Sequence, residues 1–355
     1  MQGKYYTMGL AKDLLEFFHE DRLPQGAGKL PSFSEFLDAY PQYRPATYVN
    51  AVVNKLELES FLLLVDTSWQ FGARDRRFQT LAYKKADGIY GSYDYSIFGF
   101  KLVREDFVKS VRPIIALDKK EEYIGTGFVA EHGGKSYFVT ARHCIENLEH
   151  ITIYNEKDVS LIPHKIYVPK IPDYQDEYNE FTKADIAILT FDETHFQDTK
   201  RFRFESGEIL DSILVMGYPP MGVFDKAKEV NNAIQLAETV SIASKYFLKS
   251  SSGQAVGKGH IGSLNHDYLL INARVKGGSS GSPVINNKGK VIGMITQIPS
   301  SGGGTNDGAN DLMGFGFAIP QEMIVKIIDS INGSPNGVAV SELKFKSDER
   351  GFSTK

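Results

Sequence analysis

The feature that most limits what this chain can fold into is a change of hydrophobic period near residue 113. Beyond it, apolar residues recur every second position in short runs: 123–130, 136–141, 151–154, 186–191, 213–216, 268–275, 291–297 and 314–319. A period of two puts alternate side chains on one face of a strand, so each run can bury that face against a core. Turn signals separate the runs, among them His132-Gly133-Gly134-Lys135 and Asn286-Asn287-Lys288-Gly289. Many short strands joined by such turns predict a sandwich or barrel. A closing helix is predicted after Pro320, with Met323, Ile324, Ile327 and Ile328 on one face.

Before residue 113 the spacing is helical. Leu10, Leu14, Leu15, Phe17 and Phe18 mark one apolar stripe. Ser32 followed by Glu35 is a capping-box signature for a helix carrying Phe36 and Leu37. Pro45 opens a third stripe through Tyr48, Val49, Val52, Val53 and Leu56, and Phe61 to Val65 reads as a strand. Lys84 to Phe100, rich in Gly and Tyr, reads as a turn with short strands. The predicted organisation is a mainly α domain at 1–112, a β domain at 113–332 and a loose polar tail at 333–355 that carries at most a short strand near 338–343.

Composition excludes several classes. At 42% hydrophobic and 24% charged, the chain has a globular balance rather than a disordered one. A formal charge of −4 supplies no general field for nucleic acid. The densest apolar run, Phe61 to Val65, is far short of the roughly 20 residues of a membrane span. No signal-peptide pattern opens the chain. The single cysteine, Cys144, has no partner for an internal disulfide, and no Cys/His set has zinc spacing. The expectation is a cytoplasmic protein without metal, cofactor or membrane.

Three islands in the β region carry chemistry. In Val139-Thr140-Ala141-Arg142-His143-Cys144 a histidine stands at the mouth of a strand. It suits a general base, because imidazole titrates near working pH, or it is an ordinary surface or core histidine. Asp185, ahead of Ile186-Ala187-Ile188-Leu189, could orient an imidazole or simply end a turn. In Lys276-Gly277-Gly278-Ser279-Ser280-Gly281-Ser282-Pro283, glycines flank serines between two apolar runs. Such a loop lets a substrate backbone come close and aims N–H groups at a developing oxyanion, or it is a flexible turn. A strand rather than a helix follows, so this is not the nucleophile elbow of other hydrolases.

The order His, Asp, Ser is that of the chymotrypsin class. At these motifs the chain resembles the trypsin-like serine peptidase superfamily, and within it the HtrA/Deg type, over about residues 115–330. Gly125-Thr126-Gly127-Phe128 is similar to the family's Gly-Ser-Gly-Phe strand, and Thr140-Ala141-Arg142-His143 to its Thr-Ala-x-His motif. Asp185 to Leu189 and Gly278 to Pro283 resemble Asp-Ile-Ala-x-Leu and Gly-x-Ser-Gly-Gly/Ser-Pro. Met216-Gly217-Tyr218-Pro219 and Gly316-Phe317-Ala318-Ile319-Pro320 match further family segments.

The resemblance implies an all-β, chymotrypsin-like double β-barrel with its site in the cleft. It implies Ser280 as nucleophile, His143 as base, Asp185 as the group holding the imidazole, and an oxyanion hole from the N–H groups of Gly278 and Ser280. The implied activity is that of a serine endopeptidase acting on a protein or peptide, with a rate rising through a histidine pKa of roughly 6.5–7. In trypsins the sixth residue before the nucleophile is an Asp that selects basic side chains; here it is Arg274. Arg274 and Lys276 are candidate substrate contacts, with solvated charge as the plainer reading. Ile295, Phe315 and Phe317 are expected to line or underlie the pocket. The 35 residues after Pro320 are too few for a PDZ domain.

Residues 1–112 lie outside the resemblance. Their element order is loosely that of a winged helix, with Arg44 to Glu59 as recognition helix and Gly88 to Tyr95 in a wing. The region holds 15 Lys/Arg and 14 Asp/Glu, a net of +1, and its one basic cluster is Arg74, Arg76, Arg77, Lys84 and Lys85. A regulatory or protein-interaction role is favoured over nucleic-acid binding. Two rivals to an active, gated peptidase stand: a catalytically silent binding module, and a DNA-associated regulator with a processing domain.

Overall fold

Capping chemistry and apolar stripes build the N-terminal part as read. In this computed structural model the described residues are 9–19, 30–70, 73–81, 92–118, 121–155, 159–170, 184–219, 247–261, 266–296, 315–335 and 337–355. They divide into two compact units, Met1–Val103 and Arg104–Lys355. In the first, helix α1 (Leu10–Phe17) buries Leu10, Leu14 and Leu15. Helix α2 (Phe33–Ala39) starts on a complete capping box: Glu35 N–H donates to Ser32 Oγ at 3.3 Å, and Ser32 N–H donates to Glu35 Oε2 at 2.6 Å. Helix α3 (Ala46–Leu58) turns Val49, Val52, Val53 and Leu56 inward. A hairpin of β1 (Leu62–Gln70) and β2 (Ala73–Thr80) follows.

The segment read as turn and short strands is helical where described. Helix α4 (Ser92–Phe98) and helix α5 (Phe100–Phe107) occupy it, so Tyr93 to Tyr95 form no wing. Tyr93 and Ile97, one helical turn apart, bury against the α1–α3 core, and that burial overrides the strand preference of Tyr and Ile. Asp94 is also buried and accepts from the N–H groups of Gly9 and Ala11, which caps α1 from outside. Two of the five residues of the basic cluster are spent on structure. Arg76 donates to Asn50 and Asn54 on α3 and lies over the rings of Phe33 and Phe78. Arg77 is buried and bonded to the Leu30 carbonyl. Lys84, Lys85 and Gly88 lie outside the described residues.

The second unit is built from strands in two lobes. The first lobe contains β3 (Val111–Asp118), β4 (Glu121–His132), β5 (Lys135–Thr140), β6 (His150–Ile153), β7 (Lys165–Pro169) and β8 (Ala187–Thr190). The second contains β9 (Ser212–Gly217), β10 (Lys249–Ile261), β11 (His266–Ile271), β12 (Pro283–Asn286), β13 (Val291–Ile295) and β14 (Gly316–Pro320). The second lobe closes into a six-stranded barrel, β10-β11-β14-β13-β12-β9, around Ile213, Leu269, Ile271, Ile292 and Ile295. The first repeats that connectivity but stays open: among the described residues no ladder joins β6 to β7. This is the chymotrypsin-like double-barrel arrangement, one barrel closed and one half-open.

Residues 333–355 are not a loose tail. After helix α6 (Gln321–Ile331), which buries Ile324, Ile327 and Ile328, the chain returns to the first lobe. Strand β15 (Val340–Glu342) pairs with β7, and a hairpin of β16 (Lys346–Asp348) and β17 (Gly351–Ser353) pairs with β6. The two open edges of the half-barrel are thus taken by the end of this sequence. Phe352, 1% exposed, supplies the apolar anchor that the polar neighbours hide.

Candidate active site

The site starts where β5 ends. After Thr140 the chain makes a single 3₁₀ turn, Arg142–Cys144, which places His143 at the strand mouth. Asp185 precedes β8, the strand paired with β5, so strand pairing alone brings the two side chains together. Asp185 holds the histidine twice: Oδ1 accepts the His143 backbone N–H at 2.9 Å, and Oδ2 lies 2.7 Å from Nδ1. A carboxylate at Nδ1 leaves Nε2 as the nitrogen free to take a proton. A third donor, the hydroxyl of Thr296, reaches Asp185 Oδ2 at 2.5 Å.

These contacts set the charges. Burial pushes the Asp185 carboxyl up, but the bonds from His143 and Thr296 outweigh it and hold the group below the usual carboxylate range. For His143, burial works against the charged form. The adjacent Cys144 sulfur and the Asp185 carboxylate outweigh it, so the imidazole sits above its ordinary value. The Tyr268 hydroxyl is pushed up to about 12 by burial and by the Asp185 charge.

The serine loop comes from the second lobe and is held by the first. Thr126, fully buried on β4, is the clamp: its N–H donates to the Ser280 carbonyl at 2.9 Å and its hydroxyl donates to the Gly278 carbonyl at 2.9 Å. The Tyr218 N–H donates to the same hydroxyl at 3.0 Å. Gly281 has φ +83°, and a Cβ there would lie 1.9 Å from the Thr126 carbonyl oxygen, so only glycine lets the loop come this close. Of the three hydroxyls in the loop, Ser282 is fully buried against Gly217, and Ser279 is 4% exposed with its Oγ accepting the Lys276 N–H. Ser280 alone is half-buried and reachable. Cys144 Sγ lies 3.7 Å from His143 Nε2 and 3.8 Å from the Ser280 carbonyl oxygen, so it fills the space between base and loop. Among the described residues no hydrogen bond joins Ser280 Oγ to His143. The N–H groups of Gly278 and Ser280 have no backbone acceptor among those residues.

Residues 125–294 match the family described as "Trypsin-like peptidase domain". This stretch is a trypsin-like peptidase domain. Curated relatives of the peptidase domain include a "Probable periplasmic serine endoprotease DegP-like" of Chlamydia trachomatis, 27% identical over 214 residues, and a "Serine protease Do-like HtrA" of Lactococcus lactis, 30% identical over 209 residues. Each alignment covers 58% of this chain, and they cover 33% and 44% of those relatives respectively, so the chain spans well under half of their length. A solved "HtrA-type protease AlgW with tripeptide" aligns with 66% of this chain and 65% of its own, at 18% identity and a TM-score of 0.43.

The residues expected to contact substrate in the peptidase domain differ in their exposure. Arg274 and Lys276 are exposed on the approach to the serine loop. Phe315 is exposed, and Phe317 is half-buried, edge-on to Tyr268. Ile295 does not line a surface, which corrects its place among the substrate contacts: its side chain is 2% exposed inside the barrel core. Its backbone matters instead, since its carbonyl accepts the Gly281 N–H and its N–H donates to the Ser282 carbonyl. Two residues that hold the candidate site escaped sequence reasoning. Thr296 directly follows an apolar strand, and nothing local marks it as a partner of Asp185. Thr126 lay inside a noted motif, but its clamping role depends on a loop more than 150 residues away.

Among the described residues no group of three or more His, Cys, Asp or Glu is placed to hold a metal ion. Among them no helix is long and apolar enough to cross a membrane.

Proposed function

We propose that this chain is a serine endopeptidase whose nucleophile is Ser280. The observation that carries the reading is the His143–Asp185 pair, joined at Nδ1 and facing the Ser280 segment across the Cys144 sulfur. Ser280 Oγ attacks the carbonyl carbon of a peptide bond as its proton passes to His143 Nε2. The oxyanion is stabilised by the N–H groups of Gly278 and Ser280. Collapse expels the amine, which takes the proton from Nε2 and leaves an acyl ester on Oγ. A water molecule then gives its proton to Nε2, attacks the ester and releases the acid, and Ser280 recovers its proton. Asp185 keeps the imidazole in the required tautomer and stabilises the imidazolium formed in each half-reaction.

The test is labelling with a fluorophosphonate followed by peptide mapping. An adduct on Ser280, absent in Ser280→Ala, is the expected result, and no adduct or one elsewhere refutes the reading. Restraint by residues 1–112 is the accompanying proposal, and a chain lacking residues 1–103 that hydrolyses a protein substrate at the wild-type rate would remove it. The compartment is tested by cell fractionation. The lone Cys144 favours a cytosolic setting, whereas the DegP-like relatives are named periplasmic.

A further inference from the structure

We propose that Thr354 is a positioning residue for the catalytic histidine, acting through the loop that follows it. The proposal rests on His143 being the base of the reaction described above. His143 sits in the turn Arg142–Cys144, and that turn is closed by Ile145, whose N–H donates to the Arg142 carbonyl at 3.0 Å. Beyond Ile145 the chain passes through Asn147, which has φ +59°, a left-handed conformation that costs energy unless contacts hold it. The contacts come from 200 residues downstream. The Thr354 hydroxyl donates to the Ile145 carbonyl at 2.6 Å and accepts the Leu148 N–H at 3.2 Å. The Thr354 N–H donates to the Leu148 carbonyl at 3.1 Å, and the Ser353 hydroxyl donates to the same carbonyl at 3.2 Å. One side chain therefore bridges both ends of the loop 145–148, two residues from the imidazole. Phe352, buried opposite Ile151, fixes the strand from which Thr354 projects.

Asp185 grips the imidazole at Nδ1 and the His143 backbone N–H, but neither bond reaches the loop 145–148 that carries the far side of the turn. The Thr354 bridge holds that far side. Errors of about 1 Å in the alignment of Nε2 with Ser280 are costly in rate. The exposed ion pairs of Lys355 with Asp118 and Glu149 add little to this restraint.

The experiment compares wild type, Thr354→Val and Thr354→Ser in the full chain. Valine keeps the shape and removes both hydroxyl bonds, while serine keeps the hydroxyl. Two readouts are taken: the rate of fluorophosphonate labelling at Ser280, and the solvent-exchange rate of the downfield proton at His143 Nδ1, followed by NMR. Thr354→Val is expected to slow labelling about tenfold and to speed exchange at Nδ1 several-fold, with both restored in Thr354→Ser. Unchanged labelling and exchange in Thr354→Val overturn the proposal, even if the melting temperature falls, since a purely structural role would lower stability alone. If wild type is not labelled at Ser280, the peptidase reading fails, and the exchange rates by themselves still decide whether Thr354 holds the histidine.

Discussion

Replacing Thr126 by valine separates what its hydroxyl does from what its bulk does. Valine fills the same space, so packing is kept and two hydrogen bonds are lost: the one to the Gly278 carbonyl at 2.9 Å and the one from the Tyr218 N–H at 3.0 Å. A buried group left without its partner costs about 1–3 kcal/mol. Tyr218 is 7% exposed, so its N–H pays near the full amount; Gly278 is half-buried, so its carbonyl recovers part of the loss from water. The expected destabilisation is about 2–4 kcal/mol. Thr126→Ser keeps the hydroxyl and removes one methyl, at about 1 kcal/mol. Urea unfolding supplies the comparison, read as a change in midpoint at constant slope. Freed from Thr126, the Gly278 carbonyl no longer fixes the peptide plane beside the oxyanion donors, so labelling of Ser280 slows in Thr126→Val and not in Thr126→Ser. Equal stabilities of the two variants within about 0.5 kcal/mol, or wild-type labelling in Thr126→Val, would refute the clamp.

Thr296→Val removes one of three donors to Asp185, so kcat/KM falls roughly 10- to 100-fold and the Asp185 carboxyl titrates higher, which NMR of the labelled carboxyl would detect. Gly281→Ala sets a Cβ against the Thr126 carbonyl at a positive φ; the serine loop is displaced, labelling is lost and thermal melting shifts down by several degrees. For pH, His143 acts as a base only when neutral and its pKa is raised, so kcat/KM climbs with pH through an apparent pKa above about 6.5. That limb lies at or above the roughly 6.5–7 expected from the residue type alone, and Asp185→Asn moves it down. The same shift makes the His143–Asp185 pair stabilising at low pH, fully so below the unfolded pKa of about 6.5 while Asp185 stays ionised, and that contribution fades as pH rises through the folded value. A pH-independent rate between pH 5 and 8 would contradict this assignment.

Where the sequence predicts well, a local signal and its tertiary use coincide. The Ser32–Glu35 box, the stripe of α3 and the short apolar runs of β4, β5, β9 and β13 each carry their own instruction. Strand β10 went unread because it is written mostly in Ser, Gly, Lys and Gln; it is held by ladders to β9 and β11 on either side, not by its own propensity. The same holds for β16 and β17, which pair on an edge that sequence gives no hint of leaving open, while β15 lies within the short strand expected near 338–343. At the site, His143, Asp185 and the Ser280 loop were legible because their motifs are contiguous. Thr126, Thr296 and Thr354 were not, since each acts on a residue more than 100 positions away.

The two lobes share one winding, yet only the second completes itself. Its six strands close on one another, whereas the lobe bearing His143 has its β6 and β7 edges covered by strands from beyond residue 337. A chain growing from its N-terminus therefore has the strands of the Ser280 barrel before the His143 half-barrel has its edge strands. Until β15 to β17 arrive, those edges are open templates and the histidine loop lacks its bracket. The half-barrel that carries His143 is thus the last to receive its edge strands.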